Sequence, residues 1–304
     1  MNGAPLIAAR DLRVDVDGAV SVDGIAFETR GASAAIVGDG SSILSALQGK
    51  AEIRAGTLRV DGADVARREH TKPGAVGVAP LDPPLPPRWT AREYLMWGAR
   101  LCGANRSDAQ ERAARVLSEL ELAPLAWAKL EGLAPFEKRA LVIAQAIVTG
   151  PAVLVAAAPL CELSGPDADY VAKVFATATH GRKWIVTLTG LYAGSSEHHL
   201  AAAADELLVF ASGRLVRQGK LQKIEGSTVG YTLMLRGNVA EFREAIRALG
   251  VELSGGPQRY FVDLPEGVKT HDLLAASAKV GAPIVELVPR ILLEPSRFAP
   301  SLGA

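Results

Sequence analysis

The sequence predicts a larger α/β unit built on a buried parallel sheet, followed by a small α+β unit. Three observations carry this. Short β-branched runs alternate with longer helical patterns over about the first 220 residues. Some of those runs, such as AVLVAAA after Pro151, are apolar on both faces, as strands covered on both sides of a parallel sheet must be. The remaining chain reads strand, helix, strand, strand, helix, strand, the order of a ferredoxin-like split unit. The expected boundaries are 1–222 and 228–299, with a helical portion at about 88–135 inside the first unit.

In chain order, Leu6–Ala9, Ala34–Val37, Thr57–Val60, Ala75–Val78, Val153–Ala156, Ile185–Leu188 and Leu207–Phe210 read as strands. Ala91–Gly103, Ser107–Leu120 and Phe136–Val148 read as helices, the first capped by Thr90 and the second by Ser107, with Asp108 and Glu111 in its first turn. The polar stretch Arg217–Ser227 separates the second unit. There Tyr231–Leu235 is a strand, and Val239–Leu249 is a helix with Val239, Phe242, Ala245, Ile246 and Leu249 on one stripe. A hairpin, Val251–Leu253 and Arg259–Leu264, turns at Ser254-Gly255-Gly256-Pro257. Thr270 caps a helix through Val280, and Ile284–Val288 is the last strand.

Composition narrows the function. Of 304 residues 49% are hydrophobic and 22% charged, enough apolar material for a core. Lys+Arg and Asp+Glu balance at 33 each, so no global field recruits nucleic acid or anionic lipid, and little repulsion opposes self-association. Cys102 and Cys161 match no metal or redox spacing and read as buried thiols. The start, MNGAPLIAARDLRVDVDG, meets Arg10 and Asp11 too soon for a secretory leader. Ala140–Cys161 is uncharged and nearly long enough to span a bilayer, but Thr149-Gly150-Pro151 divides it. A buried helix followed by a buried strand fits better.

Five segments, taken in order over about residues 5–219, resemble the ATP-binding cassette of ABC transporters, a P-loop NTPase-like fold with a helical subdomain. They are SVDGIAFETRGASAAIVGDG, RAGTLRVDGADV, VGVAPLDPPLPPRWTAREYL, LAPFEKRALVIAQAIVTGPAVLVAAAPL and ADELLVFASGRLVRQG. The C-terminal unit, with PIVELVPRILLEPSRF, resembles the extension on drug-resistance and gliding-type export ATPases.

The resemblance also shows what is missing. A phosphate loop needs G-x-x-x-x-G-K-[ST], with glycine N–H groups and lysine on the phosphates and a hydroxyl on Mg²⁺. The matching run, Gly38-Asp39-Gly40-Ser41-Ser42-Ile43-Leu44-Ser45, has Ile43 and Leu44 in place of Gly-Lys, and Asp39 adds an opposing negative charge. Gly38, Gly40, Ser41 and Ser42 form a vestigial phosphate loop able to take a small anion weakly; the competing reading is a structural strand-to-helix turn. Where the family keeps Asp-Glu at the end of the second nucleotide strand, this chain has Ala157 and Ala158, expected to leave a buried strand end without carboxylates. The glutamine-loop position falls on Leu81, the switch histidine on Gly190 and the adenine-stacking aromatic on Val16. Glu162, past Pro159, reads as an exposed loop acid, and His198-His199 lie too far along to replace the switch histidine. The signature L-S-G-G-Q matches Leu133-Ala134-Pro135-Phe136-Glu137, which lacks the hydroxyl and one N–H.

The resemblance implies a cassette subunit without catalytic residues, without a metal site and with weak or absent binding of ATP and Mg²⁺. It would act as a structural or regulatory component on the cytoplasmic face of the inner membrane, beside an ABC exporter membrane subunit. It would form a homodimer or a non-standard heterodimer with another cassette, and bind no nucleic acid. The alternatives are an active export ATPase and a soluble scaffold or sensor unrelated to transport. Asp82-Pro83-Pro84-Leu85-Pro86-Pro87 is a stiff segment suited to docking or to rigid connection. Trp89 and Trp97 are open to an exposed or a core reading, and helical spacing favours the core for Trp97.

Overall fold

The computed structural model describes residues 4–291 except 39, 192–193, 212, 226–228, 257–258 and 266. Asp39 and the Pro257 end of the expected hairpin turn therefore lie outside the described residues. The chain opens with β1 (Ile7–Val16) and β2 (Ala19–Glu28), joined by Asp17-Gly18 with φ of 49° and 82°. That pair suits a two-residue hairpin turn. Next come β3 (Ser33–Gly38), α1 (Ser41–Leu47), β4 (Glu52–Val60), β5 (Ala63–Asp64) and β6 (Val76–Ala79). The helical portion contributes α2 (Ala91–Leu101) and α3 (Arg106–Glu119). Then follow α4 (Pro135–Ile147), β7 (Val153–Ala156), α5 (Gly165–Thr179) and β8 (Lys183–Leu188). The first part closes with α6 (Ser196–Ala203), β9 (Glu206–Ala211), β10 (Arg214–Gly219) and α7 (Leu221–Glu225).

Two sheets organise these elements. An antiparallel sheet has the order β2-β1-β4-β5, and a six-stranded sheet has the order β10-β9-β3-β8-β7-β6. Within the second, β3, β6, β7, β8 and β9 pair in parallel and β10 pairs antiparallel to β9. Strand β7 shows why the apolar run is there. All four of its residues are fully buried, with Leu154 and Ala156 facing the helices and Val153 and Val155 facing the core under the antiparallel sheet. Period-two alternation sends successive side chains to opposite faces, so both faces must be apolar, each fully buried Val or Leu contributing about 1.5–3 kcal/mol. The buried helix and strand expected across Ala140–Cys161 are α4 and β7, and among the described residues no helix is long and apolar enough to cross a membrane.

The last elements are β11 (Val229–Leu235), α8 (Val239–Arg247), β12 (Leu253–Gly256), β13 (Arg259–Asp263), α9 (Thr270–Lys279) and β14 (Ile284–Ile291). Their antiparallel sheet has the order β12-β13-β11-β14 around a core containing Phe242, Ile246 and Val262. This is the ferredoxin-like arrangement that the element order implies.

Several expectations need correction. Strand β1 continues well past Ala9, and β4 begins before Thr57. The two pair across a bulge where Asp11 has φ 46° and Gly56 has φ 75°. A Cβ at Gly56 would lie 2.3 Å from the Arg10 and Asp11 carbonyl oxygens, so only glycine fits the bulge. The cap of α3 is Asn105, not Ser107: its Oδ1 accepts from the Asp108 N–H at 2.9 Å. Thr270 is the first residue of α9 and Lys269 holds the cap position, its N–H donating to Asp272 at 2.8 Å. Ser254, Gly255 and Gly256 pair within β12 and do not form the turn. Leu249 leaves the apolar stripe because α8 stops at Arg247, and Val251 is buried instead. The separator Arg217–Ser227 is itself structured through residue 225, and Leu221 and Ile224 join the first core. Neither cysteine is buried: Cys102 is exposed and Cys161 half-buried, its thiol pushed up by burial and then by Glu162. Trp97 is 44% exposed, stacked on Tyr94 and edge-on to Trp89, because its helix presents that side outward. Thr90 does cap α2, through a reciprocal box with Glu93.

Candidate functional site

The C-terminal ends of β3, β7 and β8 lie side by side in the parallel sheet, the edge at which open α/β folds bind ligands. The structure brings Gly38, Gly40, Ser41 and Ser42 together there, where β3 turns into α1. Both glycines answer to packing. Gly38 has φ 83°, and a Cβ on it would lie 2.0 Å from the Phe210 carbonyl oxygen. A Cβ on Gly40 would lie 2.5 Å from Ile36 and 2.6 Å from the Phe210 ring. Ser41 is exposed and Ser42 is buried. Ile43 and Leu44, at the Gly-Lys places, are buried among the apolar residues beneath the sheet.

At the end of β7, Ala157 and Ala158 are half-buried, not fully buried as the strand pattern implies. The Ala157 N–H donates to the Ala79 carbonyl at 2.8 Å and the Ala158 N–H to Thr187 Oγ1 at 2.9 Å. Ala158 sits at φ 42°, a left-handed conformation that costs an L-residue with a Cβ about 1–2 kcal/mol. Beyond it Glu162 is exposed.

After β8 a residue outside the sequence motifs takes over. Glu197, in the first turn of α6, accepts from the Thr189 N–H at 3.0 Å, the Thr189 hydroxyl at 2.8 Å and the Gly190 N–H at 3.2 Å. The neighbouring Ser195 cap, whose hydroxyl accepts from the His198 N–H at 3.1 Å, is the local signal for this helix start. His198 is half-buried and His199 exposed, their rings 6.0 Å apart. Val16 is half-buried at the end of β1, paired with Ala19.

The segment Leu133–Glu137 forms the start of α4. Pro135 occupies its first turn, where a missing N–H is harmless. Glu137 accepts from the Ala134 N–H at 2.8 Å. Ala134 has no side-chain acceptor to return the bond, so half of a capping box operates. Phe136 packs edge-on against Tyr170 at 5.2 Å, and burial followed by the Glu137 charge pushes the Tyr170 hydroxyl up.

On the flank of the same helix lies a groove of about 410 Å³ between α4 and the proline segment, lined by Leu81, Pro83, Leu85, Leu130, Arg139 and Val142 among others. Arg139 organises it, with a side chain only 10% exposed. Its guanidinium donates to the Leu81 carbonyl and pairs with Asp82 at 3.2 Å. Lys129 adds a 2.9 Å bond to the Arg88 carbonyl, fixing the far end of the segment. Sequence patterns give no sign of Arg139, because its partners lie far along the chain. Among the described residues no group of three His, Cys, Asp or Glu side chains is arranged to hold a metal.

Comparison with known proteins agrees with this geometry. The ABC transporter family model matches residues 29–160, from just after β2 to just past β7. The sn-glycerol-3-phosphate import ATP-binding protein UgpC of Cereibacter sphaeroides is 26% identical over 269 residues, 86% of this chain and 75% of that protein. The Nod factor export ATP-binding protein I of Burkholderia thailandensis is 27% identical over 269 residues, 84% of this chain and 85% of that protein. Among solved structures, cbiO1 from Clostridium perfringens, part of the ABC transporter complex cbiONQ, superposes with a TM-score of 0.62 at 19% identity. It covers 74% of this chain and 92% of its own. The ADP conformation of another ATP-binding cassette of an ABC transporter superposes with a TM-score of 0.60 at 16% identity, covering 73% and 95%.

Proposed function

This chain carries the α/β, P-loop-type fold of an ABC transporter ATP-binding cassette, and on that premise we propose that it is a non-hydrolysing cassette subunit. In this reading it keeps the docking groove of the family and has lost the chemistry. One observation supports the reading: backbone donors at the ends of β7 and β8 and at the start of α4 are engaged by the chain itself. The Ala158 N–H goes to Thr187, the Thr189 and Gly190 N–H groups go to Glu197, and the Ala134 N–H goes to Glu137. Two of those acceptors are carboxylates, whose negative charge opposes that of a phosphate. Alanine at positions 157 and 158 offers no oxygen to Mg²⁺ and no acceptor for a proton from water.

The partner in this reading is a membrane subunit of an export-type complex, met through the groove beside α4 on the cytoplasmic face of the inner membrane. The dimer is a homodimer or a non-standard heterodimer with another cassette. A standard heterodimer is disfavoured, because a chain weak in both the phosphate loop and the signature spoils both composite sites. The competing reading is an active transporter ATPase, which the names of the curated relatives favour.

Thermal unfolding with ATP and Mg²⁺ separates the two. A ligand at 100 times its Kd adds about 2.7 kcal/mol of stability. We expect no resolvable rise in Tm at millimolar ATP and Mg²⁺; a rise of several degrees would establish nucleotide binding and overturn the proposal. Recovery of the chain entirely in the soluble fraction, away from membranes, would remove the docking role.

A further inference from the structure

Both oxygens of the Glu197 carboxylate are engaged by the loop that follows β8. Oε1 accepts from the Thr189 N–H at 3.0 Å and the Thr189 hydroxyl at 2.8 Å, and Oε2 accepts from the Gly190 N–H at 3.2 Å. Consecutive backbone N–H groups converging on one anion form the kind of concave nest that binds anions in general. The start of α6 is held without this carboxylate. Its cap is Ser195, whose hydroxyl accepts from the His198 N–H, and Ser196 ties the first turn to α5 by donating to Asp169 at 2.6 Å. Glu197 is thus a ligand that a separately fixed helix delivers to the loop. Thr189 is exposed, and Gly190 and Glu197 are half-buried, so the nest lies within reach of solvent.

The surroundings select among anions. All three donors are neutral, and more acid stands nearby: the Cys161 thiol is pushed up by burial and then by Glu162, with Glu197 and Asp82 adding to the effect and Arg139 opposing it. A doubly charged phosphate is opposed by such a field about twice as strongly as a single carboxylate. A carboxylate also presents two oxygens in one plane, one for each backbone N–H, as Glu197 does. We propose that Thr189 and Gly190 form a carboxylate-binding site whose resident ligand is the tethered side chain of Glu197. A small free carboxylate takes the site when that side chain is removed and is shut out while it is present. The loop is then ordered by a ligand built into the chain, whether or not ATP binds anywhere on the sheet.

The test is chemical replacement of the carboxylate in the full chain, without nucleotide, so that its outcome is read separately from the ATP titration. In Glu197→Ala the amide resonances of Thr189 and Gly190 should shift saturably with sodium formate at constant ionic strength. Three heavy atoms limit the apparent Kd to about 0.5 mM or weaker. Formate at about 200 mM should raise the Tm of this variant and leave that of the unmodified chain in place. Inorganic phosphate should bind at least about tenfold more weakly than formate. Should Glu197→Ala fail to fold, Glu197→Gln keeps the side-chain volume and sets an N–H₂ against one of the two backbone donors. It should show the same formate-dependent shifts. Thr189 and Gly190 amides unmoved by about 200 mM formate in the folded variant would overturn the proposal. So would equal shifts in the unmodified chain, or phosphate binding as tight as that of formate.

Discussion

Helix α4 shows two regions of this molecule that have gone different ways. Its N-terminal turn, where Leu133–Glu137 matches the family signature, is closed by its own Glu137. One turn further along, its flank at Lys138, Arg139 and Val142 still borders an open groove. The C-terminal edge of the parallel sheet shares the first condition: strand ends and loops bond to Thr187 and Glu197, and the glycines of the first loop pack against Phe210. A backbone N–H satisfied within the chain has little to gain from a ligand, whereas an apolar groove gains from any cover that excludes water. The contrast separates a groove that is open to cover from backbone that the chain has already satisfied.

Three substitutions break or sharpen that contrast. The largest effect is expected for Gly38→Ala, which forces a Cβ against the Phe210 carbonyl at a positive φ. A loss of about 3 kcal/mol should appear in urea unfolding. A loss below about 1 kcal/mol would mean that the turn has slack to open for a phosphate, and the edge is not sealed. Arg139→Ala removes the guanidinium that ties α4 to Leu81 and Asp82. It should cost about 2 kcal/mol and loosen the proline segment, seen as faster amide exchange at Leu85 and Trp89. Unchanged exchange there would show that the groove is held by something other than this arginine. The smallest effect is a gain. Ala158→Gly relieves the left-handed strain at the end of β7, partly offset by glycine entropy, for a net stabilisation of about 0.5–1 kcal/mol in the same unfolding assay. A loss would show that the Ala158 methyl contributes packing that outweighs its strain.

Much of this was legible in the sequence because it depends on neighbours. Val153–Ala156 is apolar on both faces, and the strand has those bounds. Thr90 and Glu93 are three residues apart, and the capping box follows from that spacing. Other features depend on distance along the chain. Arg139 meets Leu81 across 58 residues, and His70 meets Leu47 across 23, so no local pattern announces either contact. Glu197 reads as an ordinary first-turn acid until β8 is set beside α6. The bulge at Asp11 and Gly56 was hidden for the opposite reason: both look like strand breakers, and only pairing between β1 and β4 shows them inside a continuous ladder.

The placement of tryptophan gives this chain a built-in optical gauge. Of its four tryptophans, Trp184 is buried against Phe175, whereas Trp89, Trp97 and Trp127 cluster on and beside α2, with Trp127 71% exposed under the Arg92 guanidinium. Longer-wavelength emission therefore comes from the surface of the helical portion, while Trp184 supplies a blue reference from the interior. Whatever settles against those indoles will register as a colour change in the unlabelled protein.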